Sequence, residues 1–333
     1  MEGVRNPGAR RIAAAVYRRA RGAIPRRPRP TILMYHRVAD ESFDPWGLAV
    51  SPAHFREQLV WLTRNRTLFP LVEFAERHVQ RSLPKDAAAL TFDDGYACSA
   101  EIAAPLLEEF RAPATIFIPA DLIERGGPFW WDELQQVVLS HDGDSLAIDG
   151  QPVPLGPKQP DDHRWKPGAP PRTPRQAAFR RIWTALRDRS AQDLAMAMAG
   201  LRRQCSSPET GDLPRPMSPA QVRSTASERV AFGSHALTHP WLTSLEPAEQ
   251  AREIGQSAAR CEALVGSAPA TFAYPYGNFD ARSEGLVEKA GFVCACATIP
   301  SAVRPSDSVF ALPRMQVCNW PAKALSRALA RLA

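Results

Sequence analysis

A chain of 333 residues has room for one large α/β barrel or two smaller domains, so core volume sets no limit. Its formal charge of +6 is unevenly placed: residues 1–30 hold nine Arg and one Glu, leaving 32 basic and 34 acidic side chains for the rest. A near-neutral body argues against a nucleic-acid-binding surface, and no apolar run of roughly 18 residues exists to make a transmembrane helix.

In the tail, Ile12 to Val16 is too short for the apolar segment of a secretory signal, and Arg18, Arg19 and Arg21 follow at once. A solvated basic tail over residues 1–30 and a cytoplasmic location are expected. The alternative is an amphipathic helix over Arg10 to Ile24 making peripheral contact with anionic lipid. The six cysteines are scattered without a C-x-x-C pair, which fits a reducing compartment. Cys294 and Cys296, two apart in an apolar run, are expected as small core residues.

After the tail, Thr31 to Tyr35 has the length and apolarity of a buried strand and ends at His36 and Arg37. Ser51 and Pro52 form an N-cap and first-turn pair for a helix carrying Phe55, Leu59 and Leu62. A short apolar piece, Leu68 to Val72, then leads into a helix through Phe74 and Val79. The next strand, Ala87 to Leu90, runs into Thr91-Phe92-Asp93-Asp94-Gly95-Tyr96. Two adjacent carboxylates at such a strand end need a cation or a proton-transfer role, and Gly95 allows a sharp turn and a close approach to a ligand. A helix through Ile102, Leu106, Leu107 and Phe110 and a strand from Ala114 to Ile118 complete the first half.

From about Asp121 to Ser227 the alternation breaks, and this stretch is taken as an insertion of loops and helices without a sheet of its own. Gln151 to Pro174 has the composition of an exposed loop, and Arg175 to Cys205 that of one or two helices with Phe179, Ile182, Trp183 and Leu186 on one face. Alternation resumes with strand Val230 to Phe232, a helix from about Pro247 to Val265, and strand Thr271 to Ala273 entering Tyr274-Pro275-Tyr276-Gly277. Asp280 caps a helix that Gly291 ends, Phe292 to Thr298 and Phe310 to Val317 are the last strands, and residues 321–333 form a C-terminal helix. Seven or eight strands separated by helices point to a parallel α/β barrel or open sheet over residues 31–320. His36, Asp93, Asp94, His235 and the Tyr274–Gly277 turn all fall at carboxyl ends of predicted strands, the edge where such folds build ligand sites.

His235 and His239 lie four apart in a segment that leaves a strand and meets Pro240, so a turn is expected rather than a helix. With Asp94 they make a His-His-carboxylate set of the kind that holds catalytic zinc with an open position, leaving Asp93 free to take a proton from water. Together, Thr91–Tyr96, Ser234–Pro240 and Tyr274–Gly277 resemble the first three motifs of the polysaccharide deacetylases, the NodB-like group or carbohydrate esterase family four. The resemblance covers roughly residues 30–120 and 228–318.

That resemblance implies a distorted (β/α)7 barrel and a metal-dependent N-deacetylase acting on an N-acetylhexosamine-containing glycan, glycolipid or sugar intermediate. It makes Asp93 the general base and Asp94, His235 and His239 the ligands of a divalent metal, most simply Zn²⁺. The Tyr276 backbone N–H would help stabilise the oxyanion. Two departures stand out. Where many relatives carry an Arg to orient the base, this chain has Ala273, and Arg314 is the candidate replacement. The Leu-x-His motif that supplies the acid is missing, since no His follows His239. Leu33-Met34-Tyr35-His36-Arg37-Val38 instead resembles the start of circularly permuted poly-N-acetylglucosamine deacetylases, which makes His36 the candidate acid. Trp131, in Phe129-Trp130-Trp131-Asp132, is expected either to stack on a sugar or to anchor the insertion. Trp241 and Trp320 are expected as packing residues, and His54, His78, His141 and His163 as ordinary core or surface residues. Other readings are an amidohydrolase on a non-sugar amide, or an inactive glycan-binding barrel.

Overall fold

The computed structural model describes residues 28–41, 43–165, 169–205 and 213–332. The basic tail, with its solvated and lipid-bound alternatives, lies almost wholly outside them. Among the described residues, no helix is long and apolar enough to cross a membrane.

Seven parallel strands make the body: β1 (Thr31–Tyr35), β2 (Ala87–Phe92), β3 (Ala114–Ile118), β4 (Val230–Ser234), β5 (Thr271–Ala273), β6 (Cys294–Cys296) and β7 (Arg314–Gln316). They neighbour one another in sequence order, and β1 also pairs with β7 through Ile32 opposite Arg314. A parallel bridge between Cys296 and Leu312 joins β6 to the approach of β7, so the sheet nearly closes. The result is the expected distorted (β/α)7 barrel. Thr67–Leu68 pairs beside the first residues of β2 as an extra short strand. β1, β2 and β3 are buried at every position, which is why their sequences are continuous apolar runs rather than alternating ones.

The helices start where the caps predict. Ser51 accepts from the His54 N–H at the head of Pro52–Asn65, and capping boxes at Ser218 and Asp280 open Pro219–Thr225 and Ala281–Lys289. The second predicted helix begins earlier than expected, at Leu71, so Leu71 and Val72 are helical rather than extended. Its other end leaves Val79 exposed. The closing helix, Ala322–Leu332, buries Leu325 and Leu329 in the core cluster that also holds Phe55 and Leu59. Cys294 and Cys296 are buried core residues, and none of the six cysteines is paired.

The insertion does carry a sheet, contrary to expectation. Ser145–Ile148 and Gln151–Pro154 form an antiparallel hairpin around Asp149-Gly150, both with positive φ. An Asp-Gly pair favours such a two-residue turn, but prolines at 152 and 154 disguise the second strand as loop. Helices Trp130–Ser140, Pro174–Arg187 and Ala191–Arg202 share an apolar cluster with Phe43, Tyr96 and Leu122 of the barrel. Fully buried Arg175 donates to the carbonyls of Val138, His141 and Gly143, meeting acceptors that the end of Trp130–Ser140 leaves open.

Candidate active site

The strand ladders continue one residue beyond β2 and β4. The Asp93 N–H donates to Tyr35 O (2.9 Å) and the His235 N–H to Ile118 O (3.0 Å), so both backbones are fixed by the barrel itself. Asp94 (φ 70°), Ala236 (φ 62°), His239 (φ 57°) and Tyr276 (φ 57°) make up four of the seven non-glycine residues with positive φ among those described. Such conformations cost on the order of 1–3 kcal/mol each and persist where the surroundings enforce them. Gly95 (φ 67°) turns sharply as expected, but its missing Cβ makes room for Ile118 Cγ2, 2.6 Å from where a Cβ would stand, and not for a ligand.

Asp94 Oδ1 lies 3.3 Å from His239 Nε2 and 3.6 Å from His235 Nε2. One ligand atom from each of the three residues falls within 4.8 Å of the others. His235 Nδ1 is hydrogen-bonded to Ala273 O at 2.7 Å, which assigns the proton to Nδ1 and turns the Nε2 lone pair toward Asp94. His239 Nδ1 has no such partner; its ring is held by packing, 4.4 Å from Tyr276 and 4.8 Å from Trp131 between centroids. The turn between the two histidines is clamped by buried Glu253, which accepts from the N–H groups of Leu237 and Thr238 and from the Thr238 hydroxyl. Sequence reasoning missed Glu253, since nothing in its helix separates it from surface glutamates.

Arg314 begins β7, fully buried, and crosses the barrel interior to Asp93. Its Nη1 and Nη2 donate to the two carboxylate oxygens at 2.7 Å each, Nη1 also to Thr91 Oγ1, and Nε to Ala297 O. Burial favours protonated Asp93, but the Arg314 charge and its hydrogen bonds override it and hold the pKa down to about 2. Asp94 moves the other way: burial, then the charges of Asp93 and Asp132, push its pKa well above the ordinary carboxylate range. Burial lowers the pKa of both His235 and His239, so the imidazoles are neutral.

Two neutral imidazoles and a buried carboxylate that, among the described residues, is in direct contact with no Lys or Arg are a donor set that fits a divalent ion.

A cavity of about 310 Å³ lies over these groups, lined also by His36, Trp131 and Tyr276. His36 Nδ1 is buried without a hydrogen-bond partner among the described residues, and burial pushes its pKa down to about 4 against the pull of Asp93. Trp131 anchors the insertion, as one of the two expectations had it, and it also lines the cavity. It stacks on Phe129 at 4.8 Å and donates its indole N–H to the Tyr96 hydroxyl. Tyr96 in turn donates to Asp132, which pairs with buried Arg37. Trp320 packs against the core as expected, but Trp241 lines the cavity, 5.4 Å from the Tyr276 ring. Trp46, Trp183 and Arg187 also line it and were not anticipated as site residues, because their segments carry no motif. His54, His78, His141 and His163 stay outside it.

The chain resembles known proteins in the same sense. Over 125 residues it is 30% identical to the poly-beta-1,6-N-acetyl-D-glucosamine N-deacetylase of Escherichia coli K12, a match covering 32% of this chain and 19% of that protein. The match thus spans about a fifth of that relative's length. The fold is shared with the Streptococcus pyogenes deacetylase PplD, solved in complex with acetate (TM-score 0.58, 16% identity, 90% of this chain and 97% of that one). It is shared too with IcaB from Ammonifex degensii (TM-score 0.58, 18% identity, 92% and 98%). The polysaccharide deacetylase family model matches residues 80–142 and 184–295, more than half the chain and all three motifs. The chain belongs to the polysaccharide deacetylase family.

Proposed function

We propose that this protein is a metal-dependent N-deacetylase that hydrolyses the acetamide of an N-acetylhexosamine-containing glycan, glycolipid or sugar intermediate. The observation that carries this reading is the division of labour between two adjacent buried carboxylates. Asp94 faces two neutral imidazoles, while Asp93 is kept ionised by a bidentate arginine. Asp94, His235 and His239 would hold the ion, with Zn²⁺ the simplest candidate. When bound, it would polarise the acetamide carbonyl as a Lewis acid.

The chain's own groups supply the rest. Asp93 is the general base that takes a proton from the attacking water, and Arg314 fixes both its oxygens for that task. The Tyr276 backbone N–H, turned by its positive φ, is the donor to the negative charge developing on the carbonyl oxygen. His36 is the acid for the departing amine. It is neutral at rest and must gain a proton first, which the nearby Asp93 charge favours. Trp131 and Tyr276 exclude water and offer ring faces to the sugar.

Acetate release from N-acetylated mono-, oligo- and lipid-linked sugars tests the reading. Chelation should abolish release and added Zn²⁺ restore it, and Asp93→Asn should retain metal while losing roughly 10²–10⁴-fold in kcat. Undiminished turnover by metal-free protein would overturn it.

A further inference from the structure

The cavity's walls carry information about the substrate beyond its acetamide, and the inference rests on the deacetylase reading. At about 310 Å³ the cavity is at the small end of ligand pockets, roughly 300–1,000 Å³, and has room for a sugar ring with a substituent. Trp46 and Trp183 meet with ring centroids 4.7 Å apart, tying the segment after β1 to helix Pro174–Arg187 and walling one side. Both fall outside the segments that the family model matches.

One turn along that helix, Arg187 sits between two indoles. Its guanidinium carbon is 4.0 Å from the Trp241 centroid and 5.3 Å from that of Trp183, with 27% of the side chain exposed. Among the described residues lining the cavity it is the single Lys or Arg. Its Nε donates to Asp188 Oδ1 at 2.9 Å, and among the described residues no protein acceptor meets Nη1 or Nη2. The carboxylates on the floor do not compete for it, because Asp93 is taken by Arg314 and Asp94 faces the histidines. A guanidinium stacked on aromatic faces, with its terminal nitrogens uncommitted, is shaped for two-pronged contact with an oxyanion.

We propose that Arg187 is a specificity-determining residue that receives an anionic substituent, a phosphate or a carboxylate, borne by the N-acetylated sugar whose acetamide reaches Asp93 and Asp94. The sugar face lies on the tryptophan wall and the anion on the guanidinium edge.

Calorimetric binding of deacetylated sugars to the zinc-loaded full chain tests this without turnover. The probes are methyl glucosaminide, glucosamine 1-phosphate and 2-amino-2-deoxyglucuronic acid, so that the two anionic arms separate phosphate from carboxylate. At least one anionic sugar should bind about 10- to 100-fold more tightly than the neutral one. In Arg187→Gln that ratio should fall to near one, and in Arg187→Lys, which keeps the charge and loses the fork, to an intermediate value. Equal binding of all three sugars by the natural chain would overturn the proposal. So would a ratio that survives Arg187→Gln, since the metal would then be the anion's partner. Anion preference without acetate release from any sugar would fail the deacetylase reading alone. Acetate release without anion preference would fail this inference alone.

Discussion

Asp93 and Asp94 are neighbours in sequence and opposites in chemistry, because each meets a different partner. Arg314 reaches Asp93 with two 2.7 Å hydrogen bonds, so its pKa falls to about 2, below the ordinary value of 3.8. A lowered carboxyl pKa contributes stability that is present above the ordinary carboxylate range and is lost as pH falls toward 2. Arg314→Gln removes the compensating charge and leaves burial to act alone, so the Asp93 pKa should rise. The acidic limb of the kcat/KM profile should shift to higher pH, with stability lower by about 3–5 kcal/mol from the orphaned buried charge. An unmoved acidic limb would show that Arg314 does not tune the base. His36→Ala should lower kcat by roughly 10²-fold or more on a substrate with a poor amine leaving group, and less on an activated anilide that needs no acid. An equal loss on both substrates would count against the acid role.

At the scale of elements, the site is made by strands that stop and loops that are pinned. The barrel ladder extends to the backbones of Asp93 and His235, and Glu253, from helix Pro247–Gly255, holds the turn that brings His239 back. Glu253→Ala would leave the Leu237 and Thr238 N–H groups without their acceptor, at a cost of about 1–3 kcal/mol each if water does not replace it. Zinc affinity measured by competition with a chromogenic chelator should fall by at least tenfold in that variant, while metal-free folding by circular dichroism persists. Unchanged affinity would mean that strand and proline alone fix the turn. The insertion contributes in a different way: its hairpin and helices share an apolar cluster with the barrel, and its helix Pro174–Arg187 brings Trp183 and Arg187 to the cavity.

On the scale of the whole molecule, the proposed metal and the proton would compete for the same carboxylate. Asp94's raised pKa means that the metal-free protein gains stability by protonating it, and that gain is lost as pH rises through the raised value. Zinc requires the ionised form, so its stabilisation should grow with pH. At one zinc concentration, set a hundredfold above the Kd at pH 8, the Tm should rise on the order of 5 °C at pH 8 and clearly less at pH 5. The same rise at both pH values would remove Asp94 from the ligand set. Barrel closure matters equally, because it sets β7 beside β1 and so brings Arg314, near the end of the chain, to the centre that His36 flanks from its beginning.

Much of this was legible in the sequence because it depends on local chemistry. Apolar runs of strand length, serine and aspartate caps, and polar residues at strand ends follow from burial and backbone hydrogen bonding over a few residues. They located the barrel strands, Asp93, Asp94, His235 and His239. The Asp149-Gly150 turn was equally local, but prolines in the strand beyond it concealed the hairpin. What remained hidden depends on contacts between segments far apart in the chain. Arg314, 221 residues from Asp93, is named from the resemblance as its partner and does reach it, but the Glu253 clamp looks like any helical glutamate, and Trp46, Trp183, Arg187 and Trp241 share no motif. The sequence alone determined the family and the cluster of two aspartates and two histidines at the strand ends, since the chemistry proposed for them needs particular side chains at particular places. Only the tertiary structure decided what surrounds it, since walls and charge partners are set by which surfaces the closed barrel and its insertion bring together.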